Sequence, residues 1–147
     1  MIKRSHQESS ALTKTARAAE RPLRILLVED SKMLRERICE LLSQLPFVDG
    51  IETVDTEEAA RTAVANDDID IMILDLHLRL GNGFGVLRAL SKNPDPPFVV
   101  VLTNYDLPQY KEAALALGAS YFMDKIRDYD KLSDAIRELH ARVFPRA

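Results

Sequence analysis

From Leu23 onward the chain alternates five times between a short apolar run and a longer stretch with helically spaced apolar residues. This alternation constrains the fold more than any other feature. A nearly continuous apolar run of four to eight residues is the pattern of a strand covered on both faces. Strands separated by helices pair in parallel through right-handed crossovers. The sequence therefore predicts the α/β class: a doubly wound, five-stranded parallel sheet with five flanking helices.

The first run is Leu23–Glu29, and Ser31 is placed to cap the helix after it. In that helix Leu34, Ile38, Leu41 and Leu45 recur at spacings of four, three and four, and Pro46 ends it. Ile51–Asp55 reads as a weaker strand, and Thr56 opens a helix over about Glu57–Ala65. Ile69–Asp75 is the clearest strand; the glycine-rich Gly81-Asn-Gly83 leads from it into a helix with Phe84, Leu87 and Leu90 on one face. Pro97–Thr103 is the fourth strand, with proline at its entry, where a missing donor does least harm. Asp106 is expected to cap a helix that carries Pro108 in its first turn and stops at Gly118. Ala119–Asp124 is the fifth strand, and the last helix spans about Tyr129–Val143, with Leu132, Ile136, Leu139 and Val143 facing the core.

Residues 1–22 lack this patterning and read as a flexible N-terminal extension, residues 23–144 as the folded domain, and residues 145–147 as a C-terminal tail. The extension has five cations against two carboxylates; with a net charge of −3 for the whole chain, the remainder carries six net negative charges. An acidic body argues against direct nucleic-acid binding. No apolar run approaches the roughly 20 residues that span a bilayer. Met1–Ser10 has no apolar stretch of the secretory type. Cys39, the single cysteine, allows no intrachain disulfide and reads as a small core or boundary residue. A cytoplasmic location is expected.

In open α/β sheets function collects at the carboxyl ends of the strands, where strand order reverses. Here those ends carry Glu29 and Asp30, Asp75, Thr103, and the approach to Lys125. Singly, each is most often a turn former, a cap or a surface residue. Together, each at the end of its own strand, they form a constellation. Three carboxylates in one crevice repel one another unless a cation neutralises them. An all-oxygen cluster with few protein ligands suits Mg²⁺, which keeps several waters and favours phosphate oxygens. A hydroxyl and an ammonium at the rim complete a seat for a phosphoryl group.

Glu29-Asp30, Asp75-Leu-His-Leu, Gly83, Leu102-Thr103 and Phe122-Met-Asp-Lys125 resemble the receiver domains of two-component response regulators, over about residues 23–144. The resemblance implies a flavodoxin-like sheet of order 2-1-3-4-5. It implies that Asp75 is the phosphoacceptor, taking a phosphoryl group from a sensor histidine kinase or a histidine phosphotransfer protein. It also implies Mg²⁺ held by Asp30, Asp75 and the backbone carbonyl of His77, with Glu29 acting largely through water. Thr103 and Lys125 would contact the phosphoryl oxygens, and Phe122 is the switch aromatic. The shift in conformation would control a downstream partner protein, from a monomer or a phosphorylation-dependent dimer.

Two positions depart from the family pattern. Ile126 stands where proline usually follows the lysine, so a trans bond is expected there. Arg79 stands where proline is usual four residues after the aspartate, so that loop is expected to be more mobile or to contact a partner. His77 and Tyr105, two residues past Asp75 and Thr103, are expected to screen attacking water.

A dinucleotide-binding enzyme would need its glycine motif after the first strand, but Gly81-Asn-Gly83-Phe-Gly85-Val86 follows the third. An aspartate-nucleophile phosphatase would need an aspartate where His77 stands. His77 has no nearby Cys or His to build a zinc site. The serious alternative is a pseudo-receiver, a binding module that keeps the fold without being phosphorylated. Only Phe144–Ala147 follow the last helix, which fits either a stand-alone receiver or a piece of a longer regulator; Pro145 resembles a natural stop, so stand-alone is slightly favoured.

Overall fold

A computed structural model describes residues 21–105 and 107–145. Its five strands are β1 (Leu23–Val28), β2 (Val48–Val54), β3 (Ile71–Leu74), β4 (Phe98–Thr103) and β5 (Tyr121–Asp124). They are all parallel, in the order β2-β1-β3-β4-β5. Five helices connect or follow them: α1 (Lys32–Leu42), α2 (Glu57–Asn66), α3 (Gly83–Leu90), α4 (Pro108–Ala116) and α5 (Leu132–Val143). The expected architecture and strand order are both found.

The alternation of side chains along each strand divides the core in two. Ile25, Leu27, Ile71, Ile73, Val100 and Leu102 face α1 and α5, where they meet Ile38, Leu42, Leu132, Ile136 and Leu139. Leu26, Val28, Met72, Leu74, Val99 and Val101 face the opposite layer, against Ala60, Val86, Leu87 and Ala114 of α2, α3 and α4. The central strands are thus buried on both faces, which is why they read as unbroken apolar runs.

Two helices start on the expected residues, Ser31 and Thr56, and α3 starts on Asn82, which the sequence reading does not single out as a cap. Ser31, Thr56 and Asn82 each accept a hydrogen bond from the backbone N–H three residues on. Asp106 lies outside the described residues, as do residues 1–20; the N-cap position of α4 is Leu107, which makes no side-chain cap bond, and Pro108 follows in the first turn.

Several boundaries differ from the sequence reading. Helix α1 stops at Leu42, short of Pro46: the Ser43 hydroxyl donates to the Glu40 carbonyl, and the helical region is disfavoured for Leu45, directly before the proline. Leu45 lies in the turn that follows and is still buried in the core. Strand β2 begins at Val48 and takes up an extra residue relative to β1; Gly50, with φ of +85°, lies within the shift. The expected single helix over 129–143 begins instead as a 3₁₀ turn at Tyr129–Lys131, before α5. No helix among the described residues is long and apolar enough to cross a membrane.

Candidate functional site

Strand order reverses between β1 and β3, because β2 lies on one side of β1 and every later strand on the other. The chain leaves these two strands at Glu29 and Asp75, and ladder-type hydrogen bonds fix both exits. Asp75 N–H donates to the Val28 carbonyl at 3.1 Å and Glu29 N–H to the Val54 carbonyl at 3.0 Å. At the far side, Lys125 N–H donates to the Thr103 carbonyl at 3.0 Å, carrying the β4–β5 pairing one residue past β5. Backbone pairing thus delivers side chains from four strands to one crevice.

There the Lys125 ammonium bridges two carboxylates, with Nζ 2.7 Å from Asp75 Oδ2 and 2.9 Å from Glu29 Oε1. Asp75 is only 4% exposed and Glu29 1%. The remaining oxygens are also engaged: Asp75 Oδ1 accepts from the His77 N–H at 3.2 Å and Glu29 Oε2 from the Ser31 N–H at 3.0 Å. Burial pushes the Glu29 carboxyl above its ordinary value, opposed by its hydrogen bonds from Lys125 and Ser31. Burial works against the Lys125 charge as well, yet its hydrogen bonds and attraction to Asp75 and Glu29 outweigh it and hold the ammonium above the usual lysine range.

Carboxylate oxygens of Glu29, Asp30 and Asp75 come within 4.8 Å of one another. With Lys125 the cluster still carries two net negative charges, and all its carboxylate donors are hard oxygens, so it fits Mg²⁺.

Thr103 is buried at the end of β4, its hydroxyl accepting from the Tyr105 N–H at 3.2 Å. Phe122 is half-buried, opposite Val101 in the β4–β5 register. The side chains of His77 and Tyr105 meet, with the hydroxyl 3.2 Å from Nδ1 and ring centroids 5.2 Å apart. Arg79 forms an ion pair with Asp55 at 3.4 Å, so the loop carrying it has a tie that the sequence reading did not foresee. The Lys125–Ile126 bond is trans, since there is no cis peptide among the described residues. In place of a proline, Asp124 Oδ1 holds the turn by accepting from the Ile126 and Arg127 N–H groups at 2.8 Å each. Sequence reasoning also missed Arg35, whose guanidinium donates to the Glu29 carbonyl at 2.9 Å. It lies on the helix after β1, and no motif flags it.

The sensory transduction protein LytT of Enterococcus faecalis is 28% identical over 116 residues, which are 79% of this chain and 47% of that protein. The response regulator protein PmrA of Pseudomonas aeruginosa is 33% identical over 125 residues, 85% of this chain and 56% of that protein. The chain spans about half the length of the curated relatives it matches. Among solved structures, the signal receiver domain of a Luxo repressor protein from Vibrio parahaemolyticus superposes with a TM-score of 0.76 at 28% identity, covering 84% of this chain and 92% of that one. Residues 25–137 match the response regulator receiver domain as a family. A match that runs from β1 into α5 and takes in every strand end of the crevice makes this chain a member of the response regulator receiver domain family.

Proposed function

We propose that the chain is a phosphoacceptor switch in which Asp75 receives a phosphoryl group from the phosphohistidine of a sensor histidine kinase or a histidine phosphotransfer protein. The observation that carries this reading is the buried Asp75 carboxylate held by Lys125 at 2.7 Å beside two further carboxylates. A carboxylate oxygen of Asp75 attacks phosphorus, the P–N bond breaks, and its electrons return to the imidazole. The product is an aspartyl phosphate, and later attack by water restores Asp75 and releases inorganic phosphate.

A carboxylate needs no general base, so the site supplies position and charge neutralisation. The His77 N–H and Lys125 orient the two Asp75 oxygens, and Lys125 offsets charge on the equatorial phosphoryl oxygens. Asp30, Asp75 and the His77 carbonyl would hold Mg²⁺, with Glu29 largely through water; bound there, the ion neutralises the same oxygens. The Thr103 hydroxyl, which accepts from the Tyr105 N–H, then donates its own proton to a phosphoryl oxygen, and Phe122 turns inward behind it. Because only the phosphorylated state offers that contact, phosphorylation shifts the population of the two conformations. The partner that reads the shift is a protein met in the cytoplasm, with residues 23–144 as the switch and residues 1–22 as an appendage.

Incubation with a small phosphodonor and Mg²⁺ is expected to add the mass of one phosphoryl group, and Asp75→Asn to abolish the gain. A wild-type protein that gains nothing would instead be a pseudo-receiver, a binding module on the same fold. The contact between His77 and Tyr105 supports a screen over the acyl phosphate. Replacing both with alanine is expected to change the rate of phosphate loss several-fold, by roughly 1 kcal/mol of barrier. An unchanged rate in a phosphate-release assay would remove the screen.

A further inference from the structure

The glycine run Gly81-Asn82-Gly83-Phe84-Gly85 has no role in the phosphoryl site as described, and the loop containing it has arginine at position 79. Three consecutive residues at the start of α2 grip this loop. Asp55 pairs with Arg79. Thr56 forms an isolated parallel bridge with Leu80. Glu57 contributes its backbone N–H to the Leu80 carbonyl at 3.0 Å and its Oε1 to the Asn82 N–H at 3.1 Å.

The glycines make room for that carboxylate. A Cβ at residue 81 would lie 2.5 Å from Glu57 Oε1, and one at residue 85 would run into Glu57 Oε2. Gly81 also has φ of +84°, a conformation that side chains resist. Gly81 and Gly85 thus form a slot closed by the Glu57 carboxylate at the amino end of α3, where a negative charge is also favourable.

The grip reaches the phosphoacceptor in a few steps. Asn82, held by Glu57, faces His77 across an antiparallel bridge, and the adjacent Gly83 N–H donates to the Leu76 carbonyl at 2.9 Å. The His77 N–H in turn donates to Asp75 Oδ1. We infer that Glu57 is a positioning residue: seated in the Gly81–Gly85 slot, it braces the loop after Asp75 and fixes where the His77 carbonyl stands for Mg²⁺. The inference rests on the phosphoacceptor reading for its biological meaning, and on the brace geometry for its test.

Mg²⁺ binding by titration calorimetry and hydrogen exchange at the Asn82 amide test it together. Glu57→Ala is expected to weaken Mg²⁺ binding about tenfold, the low end of what losing an outer partner of a metal site costs, and to speed exchange at Asn82. Glu57→Gln keeps the acceptor and is expected to stay near wild type in both. Gly85→Ala expels the carboxylate without removing it and adds a better helix former, so the fold is kept. It is expected to match Glu57→Ala, and the double variant to be no worse than either single one. Glu57→Ala binding Mg²⁺ like wild type, Glu57→Gln as weak as Glu57→Ala, or a wild type that binds no Mg²⁺ overturns the brace. If the brace results hold while Asp75 accepts no phosphoryl group from a small phosphodonor, the phosphoacceptor reading fails alone. If Asp75 is phosphorylated and Glu57→Ala changes neither readout, the brace fails alone.

Discussion

Lys125→Ala is expected to destabilise the domain by about 3 kcal/mol in the absence of divalent cations, the low end of what breaking a buried ion pair costs. The ammonium is the counter-charge to two nearly inaccessible carboxylates, Glu29 and Asp75, at 2.9 and 2.7 Å. Removing it leaves both in the crevice beside Asp30 with no cation. The pH dependence follows from the direction of the shifts. The Lys125 value is raised, so its stabilisation is complete at neutral pH and is lost only as pH rises through that raised value. The Glu29 value is also raised, so its ionisation costs stability as pH climbs from the ordinary glutamate value to the raised one.

In the variant only the Ser31 N–H still opposes that cost, which shrinks as pH falls toward the ordinary glutamate value. Urea titrations at neutral and mildly acid pH measure both effects, and a neutral-pH midpoint equal to wild type would show that Lys125 is not the counter-ion. Phosphoryl uptake should also fall, by a factor on the order of 100, as for loss of one charge-stabilising donor.

Gly83→Ala is expected to cost about as much, by a different route. A Cβ at residue 83 would lie 2.5 Å from the Asp75 carbonyl oxygen and 2.8 Å from Leu76 Cα. Both are backbone atoms at the end of β3, so no side chain can swing aside. The start of α3 would have to lift off the strand, and such overpacking costs about 3 kcal/mol at the upper end of its usual range. The strain falls on the carbonyl of Asp75, the proposed phosphoacceptor, so phosphoryl uptake is expected to drop with stability. Gly85→Ala is the control within the same helix, because the atom it meets is the far end of the flexible Glu57 side chain. Equal urea midpoints for the Gly83 variant and wild type would show that α3 need not approach β3 so closely.

The layered fold was legible because burying a strand on both faces leaves a mark that needs no partner to read: Leu26 to Val28 and Ile71 to Leu74 are apolar throughout. The site was legible because strand ends are fixed points, and the residues just past them converge once the strand order is known. Less was readable wherever the cause lies far away in sequence. The early end of α1 coincides with the Ser43 hydroxyl bond to the Glu40 carbonyl, which periodicity does not register. The break of the last helix into a 3₁₀ turn involves Asp128, which accepts from the Asp124 N–H across the turn after β5. The Arg21–Asp70 pair at 2.8 Å joins the amino ends of the neighbouring strands β1 and β3, 49 residues apart in sequence, and no spacing rule finds it. The loop after Asp75 was expected to be freer without its proline, or to contact a partner. It is instead tied to α2 through Asp55, Thr56 and Glu57, a tertiary substitute that the local sequence does not announce.

Chemical trapping distinguishes which carboxylate of the crowded crevice takes a phosphoryl group. Protein incubated with a small phosphodonor and Mg²⁺ can be reduced with borohydride, which converts an aspartyl phosphate to homoserine, and then mapped by peptide mass spectrometry. Homoserine is expected at residue 75 and none at residue 30. Reduction at Asp30 or Glu29 instead, with Asp75 intact, would contradict that assignment.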